Sequence, residues 1–494
     1  MTRRILILAA AMVVLVGCAA RPPRARRVLP AVASEQRRAY DETVTGMFLS
    51  LVDFETDADG REGFAQADWF HLVNPGPRDG TRFVVNMTST GAGALQADLS
   101  PGSALVLDVP GVTDLSDYTL LSMAIHSETL RDDFRVTLET DAGVHRSGGH
   151  LLRPGWNMVH VDLQRLRRRR GVDLTGVRRI RWDFPRAAGP LRIRLDDVLL
   201  IDNDRVIRPT PPGVVLRKSG LDWTIQLPAR DEPMRLSQGD DGLWRLGDVQ
   251  TNLTLTRPDG NAPADPLNLL GERSLGEVRL LETNRVRTRL AVTWFFPSRA
   301  GEWASLAVRR VRWEHTFYAD GRWVTHMEIN NAGGQPIGTV RIDARRTVAW
   351  SNGAVAAEME QQFAGPVGRW NWLAAGRTRF ARAYRRQYAR PGRIETTLGG
   401  EPTAPEANGY DASQGCHVVR ARDGLCRFEL IPPPEGLVNP VVRVENVGPG
   451  EVTAAAEGLA IRTWAFSDDG AVVLVIPGEV HKPLSVEFRG PAAE

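Results

Sequence analysis

The side chains best suited to chemistry gather in one stretch, Arg312-Trp-Glu-His-Thr-Phe-Tyr-Ala-Asp-Gly-Arg-Trp-Val-Thr-His-Met-Glu-Ile-Asn-Asn331. Asp320-Gly321 between alternating apolar residues signals a two-residue type I′ hairpin turn. That register sets His315 opposite His326. Alternation then puts Trp313, His315, Phe317, Val324, His326, Glu328 and Asn330 on one face. An indole can stack on the apolar face of a pyranose, while His and Glu hydrogen-bond hydroxyls or move protons. The competing reading is structural, with both histidines satisfied beneath Trp313 and Phe317, and it is the outcome expected here. A three-residue turn would break the pairing.

Other candidates are scattered. Arg369-Trp-Asn-Trp372 and the arginine-rich segment 377–390 mix aromatics with cations, which suits an acidic polysaccharide and makes Trp370 and Trp372 stacking candidates. Phe380, Tyr384 and Tyr388 recur every four residues, so a helix within 375–389 packing them onto a sheet is the preferred account. Trp69 lies in a loop-like stretch and is a further stacking candidate, whereas Trp156 and Trp182 sit in strand-like runs expected to be core. The run Arg165–Arg170 reads as a solvated face, or as a contact for an acidic glycan or lipid.

The elements that must position these residues are strands. Leu191-Arg-Ile-Arg-Leu-Asp-Asp-Val-Leu-Leu200 alternates with the period of a half-buried strand, and Leu51-Val-Asp-Phe-Glu55 is similar. Short β-like runs separated by Gly, Pro, Asp and Ser lie between them, so 48–207 reads as one unit whose first and last strands could pair. Asp53-Phe54-Glu55, Pro154-Gly155-Trp156-Asn157 with Val159-His-Val-Asp-Leu163, and Leu195-Asp-Asp-Val198 resemble the galactose-binding-like jelly-roll modules that accompany carbohydrate-active enzymes. The resemblance implies a sugar ligand and a structural calcium ion near the first and last strands, which hard oxygen ligands suit. Glu55 and Asp197 match those positions best. Strand alternation would turn Asp53 and Asp196 to the opposite faces.

Arg208-Pro-Thr-Pro-Pro-Gly213 marks a boundary, with 208–214 as a proline-rich linker. Residues 215–494 again read as β, and the expected architecture is all-β: an N-terminal jelly roll followed by a larger two-sheet sandwich. The 312–331 hairpin resembles those of galactose-mutarotase-like supersandwich domains. Some supersandwich proteins resemble polysaccharide lyases, which need a base and a group that neutralises a uronate carboxylate. On that implication His315 or His326 would be the base, with Asn330 or a nearby arginine as the neutralising group.

The N-terminus suggests an address. Arg3 and Arg4 precede an apolar run, Ile5 to Val16, too short to cross a bilayer but suited to a signal peptide. Leu15-Val-Gly-Cys18 resembles a bacterial lipobox, which implies lipidation of Cys18, a signal at 1–18 and a basic tether over 19–47. Ala19 in place of aspartate favours the outer membrane, facing the periplasm or the surface. An exported protein keeps disulfides, so Cys416 and Cys426 are expected to pair, stabilising by roughly 2–3 kcal/mol; two free buried thiols are the alternative.

A net charge of +3 gives no argument for nucleic acid, and no phosphate loop, dinucleotide fingerprint, HExxH or nucleophile elbow occurs. Three readings follow. The favoured one is a membrane-anchored, non-catalytic, carbohydrate-binding lipoprotein. The second is a polysaccharide-degrading enzyme, foremost a lyase, and the third is a structural or adhesive surface protein.

Overall fold

The computed structural model describes residues 47–493, apart from 56–60, 86, 90–92, 110–113, 148, 188, 229–231, 239–243, 247–248, 257–266, 269–274, 296–309, 331–338, 347–356, 363–366, 376–379 and 404–407. Cys18, the signal segment and almost all of the tether lie outside the described residues. What is described is all-β in character, with short helices at Arg61–Ala67, Leu163–Arg167 and Ala381–Ala389.

The first unit holds twelve strands: β1 Met47–Val52, β2 Phe70–Val73, β3 Gly80–Val85, β4 Gly93–Leu99, β5 Ala104–Asp108, β6 Leu120–Ser127, β7 Arg131–Thr140, β8 Gly143–Arg146, β9 His150–Leu152, β10 Gly155–Asp162, β11 Val177–Asp183 and β12 Leu191–Asp202. One sheet runs β10-β6-β12-β4-β3 with β1 on β12, and the other runs β2-β5-β11-β7-β8 with β9 on β7. Leu121, Met123, Ile125, Ile193 and Leu195 face Phe70, Leu138, Ile180 and Trp182 across the core. Each such fully buried side chain stabilises by roughly 1.5–3 kcal/mol relative to exposure.

The long strand β12 organises this unit. One edge pairs with β6 throughout; the other pairs with β4 over Leu191–Leu195 and with β1 from Val198 onward. The handover is a β-bulge, where the register to β6 shifts between Asp196 and Leu199 and Asp197 takes φ +49. The bulge overturns the expected alternation, because Asp196 and Asp197 are both buried, at 0% and 2% exposure. The Asp196 carboxylate accepts hydrogen bonds from the Ser89 and Asp197 amides, each at 2.9 Å, and so pins the kink.

The next sheet begins before the expected linker. Strand Arg205–Ile207 pairs with Val215–Ser219, making 208–214 a hairpin loop. Buried Asn203 joins the two units: it bonds Thr119 of the jelly roll at 2.8 Å and the Gly220 amide at 2.7 Å. Leu221 packs with Phe48, Leu120, Met158, Leu199 and Ile201 on the outer face of the β6/β12 sheet. That end of the face is thereby covered. The end toward Trp156 is not part of this contact.

The strands after residue 203 are distributed over four large sheets. A nine-stranded sheet runs from Arg205–Ile207 to Ala357–Gln362, and a five-stranded sheet holds Leu275–Thr283, Arg287–Phe295, Arg310–Tyr318, Arg322–Asn330 and Val367–Ala375. Helix Ala381–Ala389 follows, with Tyr384 buried. Five- and six-stranded sheets over 393–489 then enclose a core that includes Phe428, Val444, Leu474 and Phe488.

The expected disulfide is absent. Cys416 and Cys426 are both free and buried, in separate apolar clusters. Cys416 opens strand Cys416–Ala421, and Cys426 lies just past the turn closed by Arg422 and Leu425. The two are therefore separated by most of a strand, roughly 16 Å at about 3.3 Å per residue, whereas a disulfide needs Cα atoms within about 7 Å. Burial pushes the two thiols up, to about 11 and about 12.

Candidate functional site

The hairpin forms, but in a different register. Phe317 pairs with Trp323, His315 with Thr325 and Glu314 with His326, so the turn holds three residues, Ala319-Asp320-Gly321. Gly321 adopts φ +91 and donates to the Tyr318 carbonyl at 3.0 Å. Asp320 is held in this turn by its neighbour Arg322 and by the distant Tyr384. The Arg322 guanidinium binds its carboxylate at 2.6 Å, and the Tyr384 hydroxyl donates to it at 3.3 Å. Arg322 in turn lies 4.6 Å over the Tyr384 ring and donates to the Asn439 carbonyl at 3.0 Å. A slip of one residue moves every partner to the other face. His315 and His326 are consequently on opposite faces, and the predicted register is refuted.

His315 belongs to the core. It is 0% exposed and boxed by Trp313 at 4.1 Å, Trp323 at 5.5 Å and Phe317 at 6.0 Å between ring centroids. The Trp323 indole donates to Nδ1 at 3.1 Å, and burial holds the imidazole pKa down to about 3. A neutral ring shut from solvent cannot serve as a base for a polysaccharide. Trp313 is equally buried and cannot stack on a sugar. These two candidates are structural.

His326 and Glu328 lie half-buried on the polar face with Glu314 and Arg312. There Arg289 and Arg312 hold Glu314 at 2.8 and 2.6 Å. Asn330 pairs in backbone register with Arg310, at the alternate position to Glu328. Trp370 and Trp372 pair with Met327 and Thr325 on the neighbouring strand, while Arg369 and Asn371 pair with Glu328 and His326. The structure thus brings His326 and Glu328 to one face and separates them from His315, with Asn330 at the next alternate position of the strand.

A different row emerges on the jelly roll. Across the outer face of the β6/β12 sheet, Trp156 pairs with His126, His126 with Arg194, Arg194 with Gln96 and Gln96 with Arg82. Trp156 is half-buried, edge-on to His126 at 5.4 Å and 71°. Arg194 reaches His126 Nδ1 at 3.2 Å, and its buried Nε has no hydrogen-bond partner among the described residues. Burial and the Arg194 charge lower the His126 pKa, against an opposing pull from Glu128. Arg192 beside the row is tied to Asp98 at 2.6 Å.

Trp156 was expected in the core, and the strand's parity explains why it is not. Asn157, Val159 and Val161 point inward, so Trp156, Met158 and His160 point out. Asn157 also explains the Pro-Gly-Trp-Asn motif: its amide accepts from Arg153 N at 2.8 Å and donates to the Arg153 and Gly155 carbonyls, each at 2.8 Å, closing the turn where Gly155 has φ +98. The inward valines were visible in the sequence and could have shown this. Trp182 is core, as expected, and Trp69 is half-buried against the same core.

Glu55 follows β1 and Asp197 sits in the bulge, at the same end of the sheet where calcium is implied. Among the described residues no three His, Cys, Asp or Glu side chains gather to hold a metal ion. Asp196 is already engaged by two amides. Two carboxylates fit a calcium ion only if backbone carbonyls complete its six to eight oxygen ligands.

No family model matches the chain, and no curated protein matches it. Similar solved structures include a family 11 carbohydrate-binding module from Clostridium thermocellum in complex with a β-1,3-1,4-mixed-linked tetrasaccharide, 16% identical over 31% of this chain and 95% of that one, with a TM-score of 0.23. Another is a family 30 carbohydrate-binding module of a cellulosomal cellulase of the same organism, 14% identical over 32% of this chain and 99% of that one, with a TM-score of 0.26. A third is an agarase, 13% identical, covering 32% of this chain and 25% of that one, with a TM-score of 0.24.

Proposed function

We propose that the jelly-roll unit binds polysaccharide along the row Trp156–His126–Arg194–Gln96–Arg82, in which Gln96, only 2% exposed, is a packed member and the other four meet the ligand. The observation that carries this reading is the half-exposed indole of Trp156, turned away from the core at the head of a line of hydrogen-bonding side chains. Five adjacent strands at about 4.8 Å spacing make that line roughly 19 Å long, the length of a short oligosaccharide. Indole supplies the apolar platform, and His126, Arg194 and Arg82 supply hydrogen-bonding groups on the same outer face. Isothermal titration with a panel of neutral and acidic polysaccharides tests it. Binding that persists unchanged in Trp156→Ala would refute the assignment.

The reading includes an address and an ion. Lipidation at Cys18 would anchor the module to the outer membrane, and membrane fractionation of Cys18→Ser should find the protein released. Calcium held by Glu55, Asp197 and backbone carbonyls would raise the melting temperature of the whole protein, since the unfolded chain lacks the site. Elemental analysis without calcium, together with a melting curve indifferent to chelator, would remove it.

A second reading, polysaccharide cleavage by a lyase, draws on His326 beside Glu314 and Glu328 on the polar sheet face. Its readout is unsaturated-product absorbance that His326→Ala abolishes.

A further inference from the structure

A separate groove opens at the edge of the other jelly-roll sheet. Asp162 caps helix Leu163–Arg167 by accepting from the Arg165 amide at 2.8 Å, and Leu163 and Leu166 anchor the helix in the core. Arg167–Arg170 are consequently carried to the surface beside edge strand β8. The space between has a volume of about 410 Å³ and is lined by His145, Arg146, Arg169 and Arg170 with the apolar Leu166 and Val172. Val144, also at its rim, is 58% exposed.

The charges here differ from the rest of the surface. Several other arginines on this unit are paired with carboxylates, as Arg179 is with Asp108 at 2.8 Å and Arg192 with Asp98 at 2.6 Å. Arg146 and Arg170 meet no carboxylate among the described residues, and Arg169 donates only to the Arg146 carbonyl, at 3.1 Å. The carboxylate that senses His145, Asp173, is already engaged by the Thr175 amide and hydroxyl at 2.9 and 2.8 Å. Along the adjoining sheet face, Arg146 is the cross-strand neighbour of Thr137, and Thr137 of Arg181. The buried Thr137 hydroxyl has no hydrogen-bond partner among the described residues, while Arg181 Nε lies 3.6 Å from the Asp183 carboxylate.

We infer that this groove is an anion subsite for the acid group of an acidic polysaccharide, a uronate carboxylate or a sugar sulfate. Planar guanidinium forks match such groups in two-point hydrogen bonds. The apolar rim at Val144 and Val172 suits the ring face. The apolar Leu166 and Val172 set among the arginines suit the mixed polar and apolar faces of a sugar residue. The inference goes beyond the proposed row and is independent of Trp156.

The test uses the whole protein and polygalacturonate and dextran sulfate as probes, with mixed-linked β-glucan as the neutral control. Arg169→Gln/Arg170→Gln should lose roughly tenfold or more in affinity for at least one acidic probe, with β-glucan affinity unchanged. Raising NaCl from about 50 mM to about 500 mM should weaken the wild type toward the variant. Trp156→Ala should keep the salt-sensitive component; its loss there would merge the two sites. Unchanged acidic-probe affinity in the double variant, with Arg146→Glu also silent, overturns the inference. Binding to phosphatidylglycerol vesicles with none to either acidic polysaccharide overturns it in favour of a membrane contact.

Discussion

Two histidines in this chain lean on a tryptophan in nearly the same way. His126 meets Trp156 at 5.4 Å and 71°, and His315 meets Trp313 at 4.1 Å and 70°. Their surroundings are opposite. His315 is sealed among three aromatic rings with Nδ1 accepting from Trp323, whereas His126 lies on an outer sheet face and shares Nδ1 with Arg194. Burial drives the first down to about 3, while the second is lowered by burial and a neighbouring charge together. An identical residue pair is thus sealed into the core in one place and set on an outer sheet face in the other. The face of the strand decides which.

The sharpest way to break this contrast is to truncate both rings. His315→Ala should cost about 2–5 kcal/mol through the cavity it leaves, read as a lower denaturant midpoint. His126→Ala should cost less than about 1 kcal/mol. Equal losses would erase the distinction.

Acid should act on the buried member first. His417 is likewise buried, and His150 and His160 are half-buried; each is held down to about 4, chiefly by burial. Their folded pKa values lie below the unfolded value of about 6.5, so the unfolded chain takes up protons first. Stability is full above about pH 6.5 and falls as pH drops toward about 4, at up to about 1.4 kcal/mol per histidine per unit. His315→Phe should flatten that slope in a pH series of unfolding curves. An unchanged slope would mean that the ring is not buried neutral.

The outer pair is sharpened by binding instead. Trp156→Ala should lower polysaccharide affinity on the order of tenfold, about 1.4 kcal/mol, while the denaturant midpoint barely moves. A large stability loss with intact binding would place Trp156 in the core after all.

His326 offers an intermediate case, half-buried on a polar face. On the binding reading, His326→Ala changes stability by less than about 0.5 kcal/mol and leaves affinity intact. Turnover that disappears in this variant would move the protein into the lyase class. The smallest effect expected is that of reductant: with both thiols free, melting curves with and without it should superimpose.

The all-β character, the pairing of first and last jelly-roll strands, and a helix within 375–389 were legible in the sequence. Each rests on local periodicity and on turn residues, which act over a few neighbours. Trp156 was legible in principle, through the parity of Val159 and Val161. The rest depended on partners far along the chain. Asp320-Gly321 reads as a two-residue turn, yet the turn takes three residues, with Asp320 held by its neighbour Arg322 and the distant Tyr384, and Arg322 by the distant Asn439. The bulge at Asp196-Asp197 exists because β12 changes partner from β4 to β1 there, and Ser89 supplies the amide that stabilises it. Cys416 and Cys426 stay apart because they lie most of a strand's length from each other, in separate apolar clusters. Periodicity decides that a strand has two faces; only the packed neighbours decide which face is buried, and a single inserted residue exchanges them.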